Sequence, residues 1–282
     1  MQSLISCHPG SFGRFGTRAA IEHLPETGLH HLELPVCTAG SPTESGQPPL
    51  VTEESTEAEL RDIEQLLAAH QVTVSSCNLV DGNPLDPAEL LVARRKLDVA
   101  ARFDVPVVVC HAGSADDADE RKQLYRHLRE LGEHAGSLGI VCCFDTRPGL
   151  CGDDSRMFRT MQELDHPQLK LNFDTAGILY HNRLVTGEIA LAKVCHHVRH
   201  VHLSDSAGEF QQWYFPALGL GGAVDFVRVL ELLRVCGFRG PYSIELHGIE
   251  GEPELSLSQT VQRVTDSVRY LRQCGYFDQL PG

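Results

Sequence analysis

Two periodicities divide this chain. Short apolar runs, several with strict alternation, predict strands at residues 3–7, 30–36, 72–77, 106–111, 139–145, 168–174, 198–204 and 241–246. Longer stretches with apolar residues at helical spacing predict helices at 17–26, 56–70, 118–136, 153–164, 188–196, 224–236 and 255–274, with one more ending near 103. The helix at 56–70 places Leu60, Ile63, Leu66 and Leu67 on one face. Pro84 and Pro87 punctuate the entry to the helix ending near 103, and Asp86 is its N-cap. Residues 37–55, rich in Gly, Pro, Ser and Thr, are too long for an idle turn and form a candidate lid. A long aromatic loop spans 205–222.

Continuous apolar strands alternating with helices, with no run of hairpins, imply a parallel sheet. Eight such units imply closure into an α/β (β/α)8 TIM barrel, one domain over residues 1–282. An open doubly wound sheet is the alternative. It lacks its phosphate turn, because Gly219-Leu-Gly-Gly222 follows a loop rather than a strand.

Composition narrows the partners. A formal net charge of −14 repels phosphate backbones and argues against nucleic acid. No apolar run approaches the ~18 residues of a spanning helix, so no membrane insertion is expected. The first residues carry no basic segment followed by a long apolar one, so no signal peptide is expected either. Cys110, Cys142 and Cys143 sit in apolar runs, and paired CxxC spacing is absent. The expectation is ten reduced thiols in a cytoplasmic protein, without a structural zinc site.

The chemistry collects at strand ends. In Val198-Arg-His-Val-His-Leu-Ser-Asp205, His200, His202 and Ser204 share one side, opposite Val201 and Leu203. By the same parity Asp145 and Arg147 oppose Cys142 and Phe144. Asn172 and Asp174 oppose Leu171 and Phe173, while Ser243, Glu245 and His247 oppose Tyr242, Ile244 and Leu246. Active sites of such barrels lie where the strands end, so Asp145, Asp174, His202 and Glu245 point into one cavity. Three converging carboxylates repel one another, and a divalent cation is the simplest neutraliser. Three oxygen donors and one imidazole suit Mn²⁺ or Mg²⁺ better than a thiol-selective zinc site.

The segments Gly139-Ile-Val-Cys-Cys-Phe-Asp-Thr-Arg-Pro-Gly149, Leu171-Asn-Phe-Asp-Thr175, His200-Val-His-Leu-Ser-Asp205, Phe215-Pro-Ala-Leu-Gly219 and Tyr242-Ser-Ile-Glu-Leu246 resemble the sugar phosphate isomerase/epimerase family, the xylose isomerase-like TIM-barrel group. The resemblance implies one divalent metal, Mn²⁺ first and Mg²⁺, Co²⁺ or Zn²⁺ after it. Asp145, Asp174, His202 and Glu245 are its ligands and Glu245 and Asp145 the acid–base pair. It also implies a homodimer. Three positions depart from the family pattern: Asp145 where Glu is usual, Gly177 where a substrate-contacting His or Asn is common, and Arg147 where His is common.

The expected activity is metal-dependent isomerisation or epimerisation of a small sugar or polyol by proton abstraction beside a carbonyl. The alternatives are a keto-sugar or inosose dehydratase and a barrel that binds metal or ligand without turnover. His111 and His247 are candidates for sugar hydroxyls and Arg147 for a carboxylate or phosphate. Trp213, with Tyr214 and Phe215, is a candidate apolar wall. A related nuclease reading has only His31, Glu33 and His111 as spare inward groups, and the wrong net charge.

Overall fold

A computed structural model of the chain describes residues 4–278 apart from Glu44 and Asp81. Eight parallel strands close a barrel: β1 (Ile5–Cys7), β2 (His31–Val36), β3 (Thr73–Leu79), β4 (Val107–Cys110), β5 (Val141–Phe144), β6 (Leu169–Asp174), β7 (Val198–Leu203) and β8 (Tyr242–Ile244). Closure is made by β8 against β1, with Ile5 opposite Tyr242 and Cys7 opposite Ile244. The expected first strand begins at Ser3, which lies outside the described residues.

Helices α1 (Gly16–His23), α2 (Glu57–Ala69), α3 (Pro87–Ala101), α4 (Ala118–Ser137), α5 (Asp154–Leu164), α6 (Gly187–Val194), α7 (Phe226–Val235) and α8 (Leu257–Gln273) follow the strands in turn. Their starts are chemically marked. Thr56 and Glu59 form a reciprocal capping box at α2, and Asp86 accepts the Ala88 N–H before Pro87 opens α3. The alternation seen in the sequence sorts the layers: Leu32, Leu34, Phe144, Leu171, Phe173, Val201, Leu203 and Ile244 join the apolar core under the helices. The intervening residues fill the barrel with buried polar groups, among them Ser6, Glu33, Ser76, Asn172, His200 and Ser243. Among the described residues no helix is long and apolar enough to cross a membrane.

Further features lie outside the sequence expectation. A single helical turn, Gly177–Tyr180, follows β6, and an antiparallel ribbon joins Tyr214–Phe215 to Gly248–Ile249. The candidate lid is tied at both ends by the Cys37–Thr52 bridge and the buried Val51. The long loop after β7 is held by Asp205, whose buried carboxylate accepts the N–H groups of Ser206, Gly219 and Val224. A Cβ on Gly222 would lie 1.9 Å from Asp205 Oδ1, so only glycine passes there.

The expectation of ten reduced thiols is corrected at one pair: Cys195 and Cys236 form a disulfide, and the other eight are thiols. Cys195 follows α6 and Cys236 follows α7. Each helix returns the chain to the strand starts, so both cysteines sit at the base of the barrel, opposite the strand ends. Replacing Cys195 with Ser is expected to cost about 2–4 kcal/mol. Denaturant unfolding with and without a thiol reductant checks this: the variant should match the reduced wild type and fall below the oxidised one.

Candidate active site at the barrel mouth

Backbone pairing carries two strands into the site. The Asp145 N–H reaches Cys110 O at 2.9 Å, and the Glu245 N–H reaches Leu203 O at 3.0 Å, so both acids continue the ladder at fixed depth. Asp174 ends β6 opposite His202 of β7. All three acids face His202. Its Nδ1 lies 2.9 Å from Glu245 Oε2 and 3.8 Å from Asp145 Oδ1. Asp174, His202 and Glu245 each offer a ligand atom within 4.8 Å of the others.

The other imidazole nitrogen reveals a group with no role in the sequence reading. His202 Nε2 lies 3.0 Å from both carboxylate oxygens of Glu33, on β2. A carboxylate only accepts, so this nitrogen carries the proton and Nδ1 is turned to the mouth. Asn78 Nδ2 donates to Glu33 at 3.0 Å and fixes it further. Beneath lies a second polar layer. His200 reaches Asn172 Oδ1 at 2.9 Å and Ser76 Oγ at 3.1 Å, while Asn172 Nδ2 donates to Asp145 Oδ1 at 2.7 Å. Parity counts Glu33, Asn172 and His200 as inward; what it does not show is that Glu33 meets His202 from β2 across the barrel. His8, just beyond β1, is also without a role in the sequence reading. Its Nδ1 lies 3.6 Å from Glu245 Oε1.

Asp174 is held through its Oδ1, which accepts from the Ser204 hydroxyl and from the N–H groups of Ala176 and Gly177 at 3.0 and 2.9 Å. A Cβ on Gly177 would sit 2.5 Å from Asp174 Oδ2, so glycine lets the helical turn close onto the carboxylate. Asp145 stands apart from that trio. Its Oδ2 accepts from Arg147 Nε at 2.7 Å and its Oδ1 from Asn172 and the Thr146 N–H.

The candidate substrate residues divide. His247 Nε2 lies 3.7 Å from Glu245 Oε1. Its ring packs on Phe215 and Trp213 at 5.1 and 5.9 Å, and Tyr180 closes the same aromatic cluster. The ribbon at Tyr214–Phe215 fixes this wall to the loop after β8, with Trp213 43% exposed at its edge. His111 is set apart, its Nε2 donating to Pro148 O at 3.1 Å.

Burial alone would raise the Glu33 and Glu245 carboxyls. The His202 imidazole beside each overcomes it and holds both well below the usual range. Burial likewise opposes charge on His202, but Glu245 and Glu33 raise it well above 6.5. His200, with burial dominant, is pushed down to about 4 and is neutral. Asp174 is raised by burial and by the charges of Glu245 and Asp145, which is the crowding a cation relieves.

These directions set a pH profile for metal-free protein. Glu33 and Glu245, lowered, contribute stability above their ordinary 4.5 that is lost as pH falls through their lowered values. His202, raised, contributes stability below its ordinary 6.5 that is lost as pH rises through its raised value. His200, lowered to about 4, adds stability that grows as pH rises from 4 to 6.5, so melting of chelated protein is expected to peak near 6.5 and decline on both sides. A continuous rise toward alkaline pH would contradict this arrangement.

The sequence profile of the xylose isomerase-like TIM barrel family matches residues 19–274. The chain belongs to that family. No curated protein matches it in sequence. In structure, this xylose isomerase-like barrel is similar to a xylose isomerase-like TIM barrel protein from Mycobacterium smegmatis in complex with magnesium (TM-score 0.76, 18% identity, 97% of this chain and 99% of that one). It is similar to D-psicose 3-epimerase with D-tagatose from Clostridium cellulolyticum H10 (TM-score 0.73, 12% identity, 96% and 99%). It is also similar to a probable 3-DHS dehydratase from Bacillus anthracis (TM-score 0.70, 16% identity, 96% and 99%). At these identities the shared property is the fold.

The donor set of this family member fits a divalent cation. Two carboxylates and an imidazole nitrogen converge, Asp174 is crowded by like charge, and Glu33 orients the imidazole from behind, as outer-sphere carboxylates do in metal sites.

Proposed function

We propose that the chain is a metal-dependent isomerase or epimerase of a small sugar or polyol. Asp174, His202 and Glu245 hold the ion, Mn²⁺ first, with Asp145 as fourth donor. The observation carrying the reading is that two carboxylates from separate strands, Glu245 and Asp145, approach one imidazole nitrogen, His202 Nδ1, at 2.9 and 3.8 Å. When bound, the cation supplies electrophilic stabilisation of negative charge growing on a substrate carbonyl oxygen.

The chain's own residues do the rest. Glu245, ionised and placed between His8 and His247, takes the proton from carbon beside the carbonyl. Asp145 returns a proton from its side of the site, which requires Arg147 to release Oδ2. Trp213 and Phe215 cover the apolar face of the sugar, and His247 donates to a hydroxyl. The eight cysteines outside the disulfide fit a cytoplasmic enzyme.

The test is incubation with Mn²⁺ and a panel of ketoses and inososes in deuterated water. Deuterium at carbon in an isomer or epimer supports the proposal. A dehydrated product moves the site to the lyase reading. Bound metal without exchange across the panel leaves a binding barrel.

A further inference from the structure

We propose that Cys195, His196 and Cys236 form a further metal site, at the base of the barrel, that takes Zn²⁺ once the Cys195–Cys236 disulfide is reduced. It is independent of the mouth in position and in chemistry.

Two neighbouring helix ends build the site. Cys195 and His196 lie in the 3-10 turn Cys195–His197 that follows α6, and Cys236 caps the end of α7. The Cys236 N–H donates to Leu232 O at 3.0 Å, so the helix fixes where its sulfur emerges. Arg199 Nη1 donates to His196 O at 3.1 Å, which ties the turn down through its backbone and leaves the imidazole nitrogens to other partners. One nitrogen of His196 and the two sulfurs lie within 4.8 Å of one another. Three other histidines near helix ends each face a carboxylate: His23 meets Glu26 at 2.6 Å, His134 meets Asp98 at 2.8 Å and His166 meets Glu133 at 3.2 Å. His196 faces two sulfurs instead. Exposure grades outward from buried Cys195 through half-buried Cys236 to exposed His196, so an ion arriving from solvent meets the imidazole first.

The donor set decides the ion. Two thiolates and an imidazole select Zn²⁺ over Mn²⁺ or Mg²⁺, the reverse of the oxygen-rich mouth. Sulfurs about 2.3 Å from one tetrahedral ion stand roughly 3.8 Å apart, inside the 4.8 Å span of this cluster, and water fills the fourth position. Disulfide and metal therefore exclude each other. Opening the S–S bond takes two molecules of a small thiol, which supply two electrons and two protons and leave joined as their own disulfide. Zn²⁺ then displaces the protons of both protein thiols to solvent and forms two Zn–S bonds. The ends of α6 and α7 are joined in either state, by the S–S bond when oxidised and by the ion when reduced.

The test is titration of the full chain with Co²⁺, a coloured substitute for Zn²⁺, under argon, with and without a phosphine reductant. Thiolate bound to Co²⁺ gives a charge-transfer absorption that the oxygen and nitrogen donors of the mouth do not. Reduced wild type is expected to develop this band and to lose it when Zn²⁺ is added, and oxidised protein is expected to show none. Cys236→Ser and His196→Ala should each weaken the Co²⁺ binding read by the band at least about tenfold, since even outer-sphere partners of metal ligands contribute that much. His196→Ala keeps the disulfide, so its folding is checked in the oxidised form before reduction. Reduced wild type without the band overturns the proposal. So does a band already present in oxidised protein, or one that either substitution leaves at wild-type affinity.

Discussion

Glu245→Gln is expected to lower substrate deuterium exchange by about 10²–10⁴-fold, the usual contribution of a positioned general base. The carboxylate is buried and lies against three imidazoles, His202 at 2.9 Å, His8 at 3.6 Å and His247 at 3.7 Å. Those neighbours, His202 above all, hold it ionised despite its burial. An amide of the same shape fills the position but accepts no proton from carbon. Because Glu245 also belongs to the ion-binding trio, the variant must be assayed at saturating Mn²⁺, with metal binding measured in parallel. Exchange within about tenfold of wild type in metal-loaded variant would remove Glu245 from the base role.

Glu33→Gln is expected to weaken Mn²⁺ binding by about 10–100-fold although Glu33 is not among the proposed ligands. Both Glu33 oxygens take the His202 Nε2–H, and one also takes Asn78 Nδ2. A glutamine offers a single acceptor to those two donors and turns an N–H₂ toward one of them. His202 then loses the partner that keeps Nδ1 facing the mouth. Removing one charge of a fully buried pair should also cost the metal-free protein about 3–5 kcal/mol. Calorimetric titration with Mn²⁺ and urea unfolding of chelated protein read the two effects separately. Unchanged metal affinity in a folded variant would show that Glu33 serves stability alone.

Much of this was legible from residue order. The eight units and their closure follow from apolar strand runs alternating with helical spacing. The inward direction of Asp145, Asp174, His202 and Glu245 follows from strand parity, because each sits next to an outward residue: Phe144, Phe173, Val201 and Leu203, and Ile244 and Leu246. Glu33 is inward by parity but gains no role from it, because parity on one strand does not show that it meets His202 from a non-adjacent strand. Its one sequence signal is an acid between two leucines in a strand, where solvent exposure is hard to arrange. His8 escaped because β1 is short and its end shows no alternation. The Cys195–Cys236 pair spans 41 residues and becomes adjacent only when neighbouring helices close around the barrel, so no local spacing marks it. The engagement of Asp145 by Arg147 is a matter of side-chain direction, which parity does not resolve.

The most direct test is an anomalous-difference map from a crystal grown with Mn²⁺. A single peak about 2.0–2.3 Å from Asp174, His202 Nδ1 and Glu245 is the expected result, with the Glu33 carboxylate still on Nε2. No peak there, or one elsewhere such as beside His196 at the base of the barrel, would contradict a cation centre at the mouth and the proton chemistry built on it.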